Sequence, residues 1–480
     1  MPELVGLIPA AGKGTRAYPY TKDIPKGMLP VAGRPLLEHS LVMLRDQAHI
    51  REFFIVVGDL GQVIRDHFGD GAAWNVKITY IQNQHIDLGL AHSVRLAGEH
   101  ITGPFLMVLS DEFYLETNHS ALARQSLDPE ELGACGVFRS QDWNAIKRNY
   151  TLHLDGERIS SLEEKPADPQ EPILGTGTLL LSPRVFRLLE EAFAREGEPP
   201  DFIGTLGEAV AHGLTMRPFF LEGRYVNIND VDSLHWANFL GRSKLMPKAK
   251  HSVVVQSWGQ EEGLARVMGE YDRLDCVDEV LLVLPDGCPE PAWLAGLGKS
   301  RVLHAPPGQE KYGALLAYGI EAARGDIVTI TEGYYSFYPN DVKKLLAYIA
   351  DAELVVGTRT TRQLIQQGTR MRGVVRLAHV FLAKLIELLW LNYSVRLSDV
   401  GCTFRTIWKD CYRDIAGQLH SRGPAYALEM TLEVMKSRRR LIEVPVSFLH
   451  TNEVLAARHQ KPSVFFRFLA TVLLKRLGLI

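Results

Sequence analysis

The chain has 480 residues, too many for one ordinary core, so two domains are expected. Lys and Arg total 53 against 56 Asp and Glu, and a net charge of -3 lacks the basic excess of a nucleic-acid binder. The 5 cysteines are scattered without a C-x-x-C pair, which argues for reduced thiols and against a structural zinc. Met1-Pro2-Glu3 leads straight into an apolar run with no secretory leader, so a cytoplasmic chain is expected. That run, Val5-Gly6-Leu7-Ile8, reads as a buried first strand. The loop behind it holds Ala10, Ala11, Gly12 and Gly14, then Thr15 and Arg16, and a proline-stiffened path from Pro19 to Pro25 that delivers Lys26.

Three readings of this loop compete. A P-loop needs Ser or Thr directly after Gly-Lys, and Gly14 stands there, so that reading fails. A dinucleotide fold puts its third glycine on Ala17 and lacks an acid at the end of a second strand. The third reading fits best: glycines let the backbone approach a polyphosphate, while Arg16 and Lys26 bracket it with cations. A glycine turn with surface cations explains the glycines but not the bracketing pair.

Further along, "QNQHIDLGLAHS" carries Gln84 and Gly89, and "FLMVLSDEFY" ends a strand at Ser110 and Asp111. "SLEEKP" carries Glu164 and Lys165, "GTGTLLL" carries Gly177, and "YVNINDVDSLHWAN" carries Asn227. Together these resemble the signature of the sugar-phosphate nucleotidylyltransferases, G-x-G-T-R…P-K…L-P-V-x-G-x-P-L, over about the first half of the chain. The resemblance implies Mg2+-dependent transfer of a nucleotidyl group from an NTP to a sugar 1-phosphate. It makes Arg16, Lys26 and Asp111 catalytic, with Ala11, Gly12, Gly14 and Thr15 at the nucleotide. Gln84 would read the base edge and Gly89 would let the base lie flat. Glutamine suits uracil or thymine, so UTP or dTTP is favoured. Glu164, Lys165 and Gly177 would hold the sugar phosphate, and Asp111 with Asn227 would hold the metal.

A boundary is expected near Gly241 to Lys248, after which Ser252-Val253-Val254-Val255 starts a new first strand. From there the chain resembles inverting glycosyltransferases of family 2, the dolichyl-phosphate-sugar synthase type. The resemblance rests on "VDEVLLVLPDG", "EKYGALLAYGIEAARGDIVTIT", "VVGTRTTRQLIQQGTRMRGVVRLAHVFLAKLIELL" and "SDVGCTFRTI". It places Asp286 at the base and Asp399 near the acceptor, with Glu332 and Arg405 in the same site. Arg359, Arg362, Arg370, Arg372 and Arg376 are candidates to meet a lipid phosphate or a diphosphate; a solvated basic helix face stays open. The match breaks at the metal motif, where D-x-D is replaced by Glu332-Gly333-Tyr334, and at Gly259-Gln260-Glu261 in place of N-E-E.

Val374 to Tyr393 carries Arg376, His379, Lys384 and Glu387 and so reads as an amphipathic helix, not a span. The apolar tail holds Arg467, Lys475 and Arg476, with Lys436, Arg438, Arg439 and Arg440 upstream. Docking on an anionic membrane surface and packing on the domain's own core are equal expectations for it. The expected architecture is α/β: two Rossmann-like, GT-A-type three-layer domains with mainly parallel sheets. Residues 1–246 form the nucleotidylyltransferase domain, 250–450 the glycosyltransferase-like domain and 451–480 a helical tail. The second domain is expected to use the first one's product; a binding or scaffold protein with an inactive second domain is the alternative. A lipid-phosphate acceptor, peripheral membrane contact and a homo-oligomer remain candidate partners, and nucleic acid does not.

Overall fold

The structure is a computed structural model that describes residues 4–128, 130–195, 199–259, 263–360, 373–391, 396–449 and 462–480. The chain divides into two compact units, Met1–Ala237 and Asn238–Ile480, with the division inside helix Val231–Leu245.

The first unit begins with β1 (Val5–Ala10), β2 (Pro30–Val31), β3 (Arg34–Pro35), β4 (Glu52–Val57) and β5 (Lys77–Gln82). It continues through β6 (Phe105–Met107), β7 (Glu112–Leu115), β8 (Glu131–Arg139), β9 (Tyr150–Asp155) and β10 (Arg158–Glu164). It closes with β11 (Ile173–Leu181), β12 (Thr215–Phe220) and β13 (Arg224–Asn227). Seven of these form one sheet in the order β12-β8-β11-β6-β1-β4-β5. Only β11 runs against its neighbours β6 and β8; the other pairings are parallel.

The sheet is buried on both faces because its apolar residues do not alternate with polar ones. In β4, Phe54 and Val56 pack toward the helices Gly89–Leu96, Arg184–Phe193 and Phe202–Ala211. Phe53, Ile55 and Val57 pack toward Leu36–Gln47 and Gly61–Phe68 on the other side. Successive strand residues point to opposite faces, so this split yields three layers.

The second unit contains β14 (His251–Gln256), β15 (Glu279–Leu284), β16 (Ser300–His304), β17 (Ile327–Glu332), β18 (Leu354–Thr358), β19 (Arg405–Trp408) and β20 (Leu441–Pro445). Its sheet runs β16-β15-β14-β17-β19-β18-β20, with β19 alone antiparallel to its neighbours. Counted by order along the chain within each sheet, both units read 3-2-1-4-6-5-7 with the sixth strand reversed. One topology has thus been used twice, although the sequence carries no close repeat.

Helix Gly373–Leu389 forms where the amphipathic helix is expected. Among the described residues no helix is long and apolar enough to cross a membrane. The cysteines of both units are free thiols.

Candidate active site

Strand β1 ends at Ala10, and the chain turns through Ala11 and Gly12 into Gly14, whose φ of 62° is left-handed. That conformation favours glycine, and the Thr21 hydroxyl donates to its carbonyl at 2.7 Å to hold the turn. A Cβ on Gly12 would meet nothing within 4 Å, so the backbone there borders open space. Lys26 arrives on the short turn Lys26–Met28, behind an extended Pro25. Asp111 arrives from the other side, between β6 and β7.

These segments enclose a cavity of about 340 Å³ at the carboxyl ends of β1 and β6. It brings together Ala11, Gly12, Gly14, Thr15, Arg16, Lys26, Gly89 and Asp111 from the expected set. The Lys26 ammonium donates to Asp111 Oδ2 at 2.6 Å and to Asn229 Oδ1 at 3.4 Å. Arg16 is exposed on the rim, and Lys13 pairs with Asp87 at the surface. The wall is therefore a glycine backbone flanked by three cations, suited to a polyanion.

The expected metal ligands sit on adjacent rungs of one ladder. Asn227 lies opposite Glu112 in the β7–β13 pair, and the next residue, Ile228, donates its N–H to the Asp111 carbonyl at 2.9 Å. Asn227 Nδ2 donates to Asn149 Oδ1 at 2.8 Å, while its own Oδ1 is buried with no hydrogen-bond partner among the described residues. An orphaned buried amide oxygen one rung from Asp111 is the kind of oxygen ligand that a hard cation such as Mg2+ takes. Among the described residues no group of three or more His, Cys, Asp or Glu is placed to hold a metal ion.

The residues expected at the sugar phosphate are tied to this centre indirectly. Lys165, at a φ of 47°, donates its N–H to the Asn149 carbonyl at 2.6 Å and pairs through Nζ with Glu164 at 2.7 Å. Asn149 thereby links the Glu164–Lys165 turn to Asn227. Gly177 departs from expectation: its N–H faces inward to Glu112, at 2.8 and 3.0 Å from the two carboxylate oxygens. A buried carboxylate needs such donors, and a Cβ on Gly177 would come within 2.7 Å of it. Gln84 is exposed and lies outside the cavity wall, which at this end is formed by Ile86, Gly89 and Leu90.

Glu112 is the residue that sequence reasoning missed. It also accepts from Tyr225 at 2.6 Å and Tyr114 at 2.7 Å, so three strands converge on one carboxylate. Burial, with the charge of Asp111 beside it, pushes its carboxyl up to about 7. The chain of polar groups runs on from Tyr114 through Thr178 to His119, which burial pushes down to about 3. Asn149, Asn229 and Lys13 were missed as well. The available signal for Glu112 was its place directly after Asp111 in an otherwise apolar strand.

In the second unit, Asp286 lies two residues past β15 and is exposed, while Glu332 ends β17 and is buried. Arg359 follows β18 and Asp399 precedes the reversed β19, so all four stand at one sheet edge. Two expectations need correction. Arg359 does not reach outward: it donates to Asp399 through Nε at 2.7 Å and Nη2 at 2.8 Å, and His379 Nδ1 lies 3.1 Å away from the same carboxylate. Burial alone would raise Asp399, but the Arg359 guanidinium holds it well below the usual carboxylate range. Arg405 is wholly buried and donates to Thr431 Oγ1 at 3.0 Å and to the carbonyls of Ala427 and Cys402, so it braces the core.

The basic run upstream of the tail is also spent on internal partners. Lys436 pairs with Glu433, Arg439 with Asp414 and Arg440 with Asp351, while Lys475 is buried against Glu429 and Glu433. Arg362, Arg370, Arg372, Gln260 and Glu261 lie outside the described residues, as does 451–461 of the tail.

Comparison with known proteins gives a family match over the first unit. The sequence model of the Nucleotidyl transferase family matches residues 5–238. The UTP–glucose-1-phosphate uridylyltransferase AglF of Haloferax volcanii is 32% identical over 181 residues, which is 38% of this chain and 72% of that protein. The bifunctional protein GlmU of Methanococcus maripaludis is 28% identical over 209 residues, 43% of this chain and 47% of that one. A glucose-1-phosphate thymidylyltransferase of Streptomyces griseus is 28% identical over 278 residues, 55% of this chain and 76% of that one. The chain thus spans less than half the length of its GlmU relative.

Proposed function

The chain belongs to the nucleotidyl transferase family, and from that premise we propose that its first unit transfers a nucleotidyl group from an NTP to a sugar 1-phosphate. The observation that carries this reading is the Lys26–Asp111 pair at 2.6 Å inside a glycine-walled cavity. A phosphate oxygen of the sugar 1-phosphate attacks the α-phosphorus, a new P–O bond forms, and the bond to the β-phosphate oxygen breaks to release pyrophosphate. Arg16 and Lys26 oppose the charge that builds on the phosphate oxygens, in a site where preorganised cations act more strongly than in water. Asp111 and Asn227 Oδ1 would hold Mg2+, which when bound supplies further neutralisation of the triphosphate. The uridylyl and thymidylyl relatives make UTP and dTTP the first nucleotides to try, with glucose 1-phosphate as partner. The test is pyrophosphate release by the full chain across NTPs and sugar 1-phosphates. Release that requires both substrates supports the reading; no release from any pair overturns it.

For the second unit, the reading is a glycosyltransferase-like module of the GT-A type that uses the nucleotide sugar, with a lipid phosphate as candidate acceptor. Supporting it, Glu332 ends the fourth strand of its sheet, the topological counterpart of the segment carrying Asp111. Ligands of open α/β sheets bind outside the carboxyl ends of the strands, where Asp286 and Glu332 lie. A second reading has an observation of its own. Asp399 and Arg405 are committed to internal partners, which favours a unit that binds a nucleotide sugar without transferring it. Consumption of the nucleotide sugar by the full chain separates the two.

A further inference from the structure

Helices Gly373–Leu389 and Pro462–Leu477 pack beside each other in the second unit. On the inner side of the first, Leu382, Ala383 and Ile386 join Leu428 and Leu432 of helix Tyr426–Lys436, with Phe468 and Val472 of the second. That face alone accounts for the packing.

The outer side is apolar too. Val374, Leu377, Phe381 and Leu388 are 81%, 70%, 57% and 62% exposed, and their spacing places them on one helical stripe. Phe466, Leu473 and Leu477 make a matching stripe on the second helix, at 64%, 43% and 70% exposed. An apolar cavity of about 520 Å³ opens between the two helices. A helix apolar on both faces requires a second apolar environment, and contiguous exposure of this kind marks an interaction surface.

Charge selects the occupant. Arg467 and Arg476 are exposed on the second helix, on either flank of its stripe, and the sole acid in the sequence of residues 373–391 and 462–480 is Glu387. Glu387 is already engaged by Lys384 at 2.7 Å and Arg396 at 3.6 Å. A second copy docked face to face would set arginines against arginines with no free acid among the described residues of the two helices to balance them. Anionic headgroups would pair with those arginines, and acyl chains would cover the two stripes.

We propose that this two-helix face docks on an anionic lipid bilayer, lying in the plane of the headgroups. It is a property of the second unit's surface and does not depend on nucleotidyl transfer. The test is flotation of the full chain with vesicles of phosphatidylcholine alone and with phosphatidylglycerol added. The chain floats with the anionic vesicles, and binding weakens as salt is raised. Leu377→Glu combined with Phe381→Glu lowers partitioning about tenfold or more, because both apolar burial and charge attraction are lost. Both side chains are largely exposed, so melting temperature and pyrophosphate release stay unchanged. Arg467→Glu with Arg476→Glu removes the preference for anionic lipid. A chain that stays soluble with both vesicle types overturns the proposal, as does vesicle binding untouched by the Leu377 and Phe381 changes. Self-association that the same double substitution abolishes also overturns it, by assigning the face to a second copy.

Discussion

Replacing Lys26 by alanine removes the cation at the centre of the first site. The ammonium is 2.6 Å from Asp111 Oδ2, and its side chain is only 11% exposed, so no solvent replaces it at the same place. Loss of one preorganised charge from such a site costs roughly two to three orders of magnitude in turnover, or about 3–4 kcal/mol of transition-state stabilisation. The effect on folding is far smaller. Asp111 is 27% exposed and returns part of its charge to water, so the lost pair weakens the fold by at most about 1 kcal/mol. That corresponds to a melting shift of about 2–4 °C for a unit of this size. The assay is steady-state pyrophosphate release with both substrates varied, alongside a thermal melt. The expected signature is a fall in kcat with the KM for NTP little changed, since the cation acts on charge that develops in the reaction. A Lys26→Ala enzyme with turnover within about threefold of the parent would refute this role, and so would a loss matched by collapse of the melt.

Asp111→Asn removes the carboxylate of the expected metal set and should raise the Mg2+ concentration for half-activation far more than Asn227→Ala; equal shifts in Mg2+ titration would contradict the ligand assignment. Gly12→Val puts methyl groups where a Cβ meets nothing within 4 Å, so KM for NTP should rise with an unchanged melt; unaltered nucleotide binding would remove Gly12 from the site. Glu112 binds its proton more tightly in the folded chain than in the unfolded one, so its contribution is full below about pH 4.5 and is lost as pH rises through about 7. In chelator, the stability of the parent relative to Glu112→Gln should therefore fall by roughly 3 kcal/mol across that window, and a constant difference in melting would contradict a buried, displaced carboxyl.

The first site was legible because its chemistry forces rare residue types into a short stretch. Gly14 needs a left-handed φ, and Arg16 and Lys26 bracket a proline-rich loop with two cations. What escaped detection depends on pairing across distant strands. Glu112 looks like part of a polar turn in "LSDEF", yet Tyr225 and Gly177 reach it from β13 and β11. Arg359, read outward as a phosphate ligand, is turned inward by Asp399, forty positions further along, and nothing local announces that partner. The α/β alternation was visible throughout, whereas the shared 3-2-1-4-6-5-7 order was not. Strand order depends on which buried edges meet, and two unlike sets of apolar residues can satisfy the same one.

The central claim is that a nucleotidyl group passes intact from an NTP to a sugar phosphate. Its most direct test follows the label from α-phosphate-labelled UTP or dTTP through one incubation of the full chain with glucose 1-phosphate and Mg2+. The expected result is label in a nucleotide sugar, formed in step with unlabelled pyrophosphate and absent from the Lys26→Ala chain. Label recovered as free nucleoside monophosphate or diphosphate, or left in the triphosphate with either nucleotide, would contradict it.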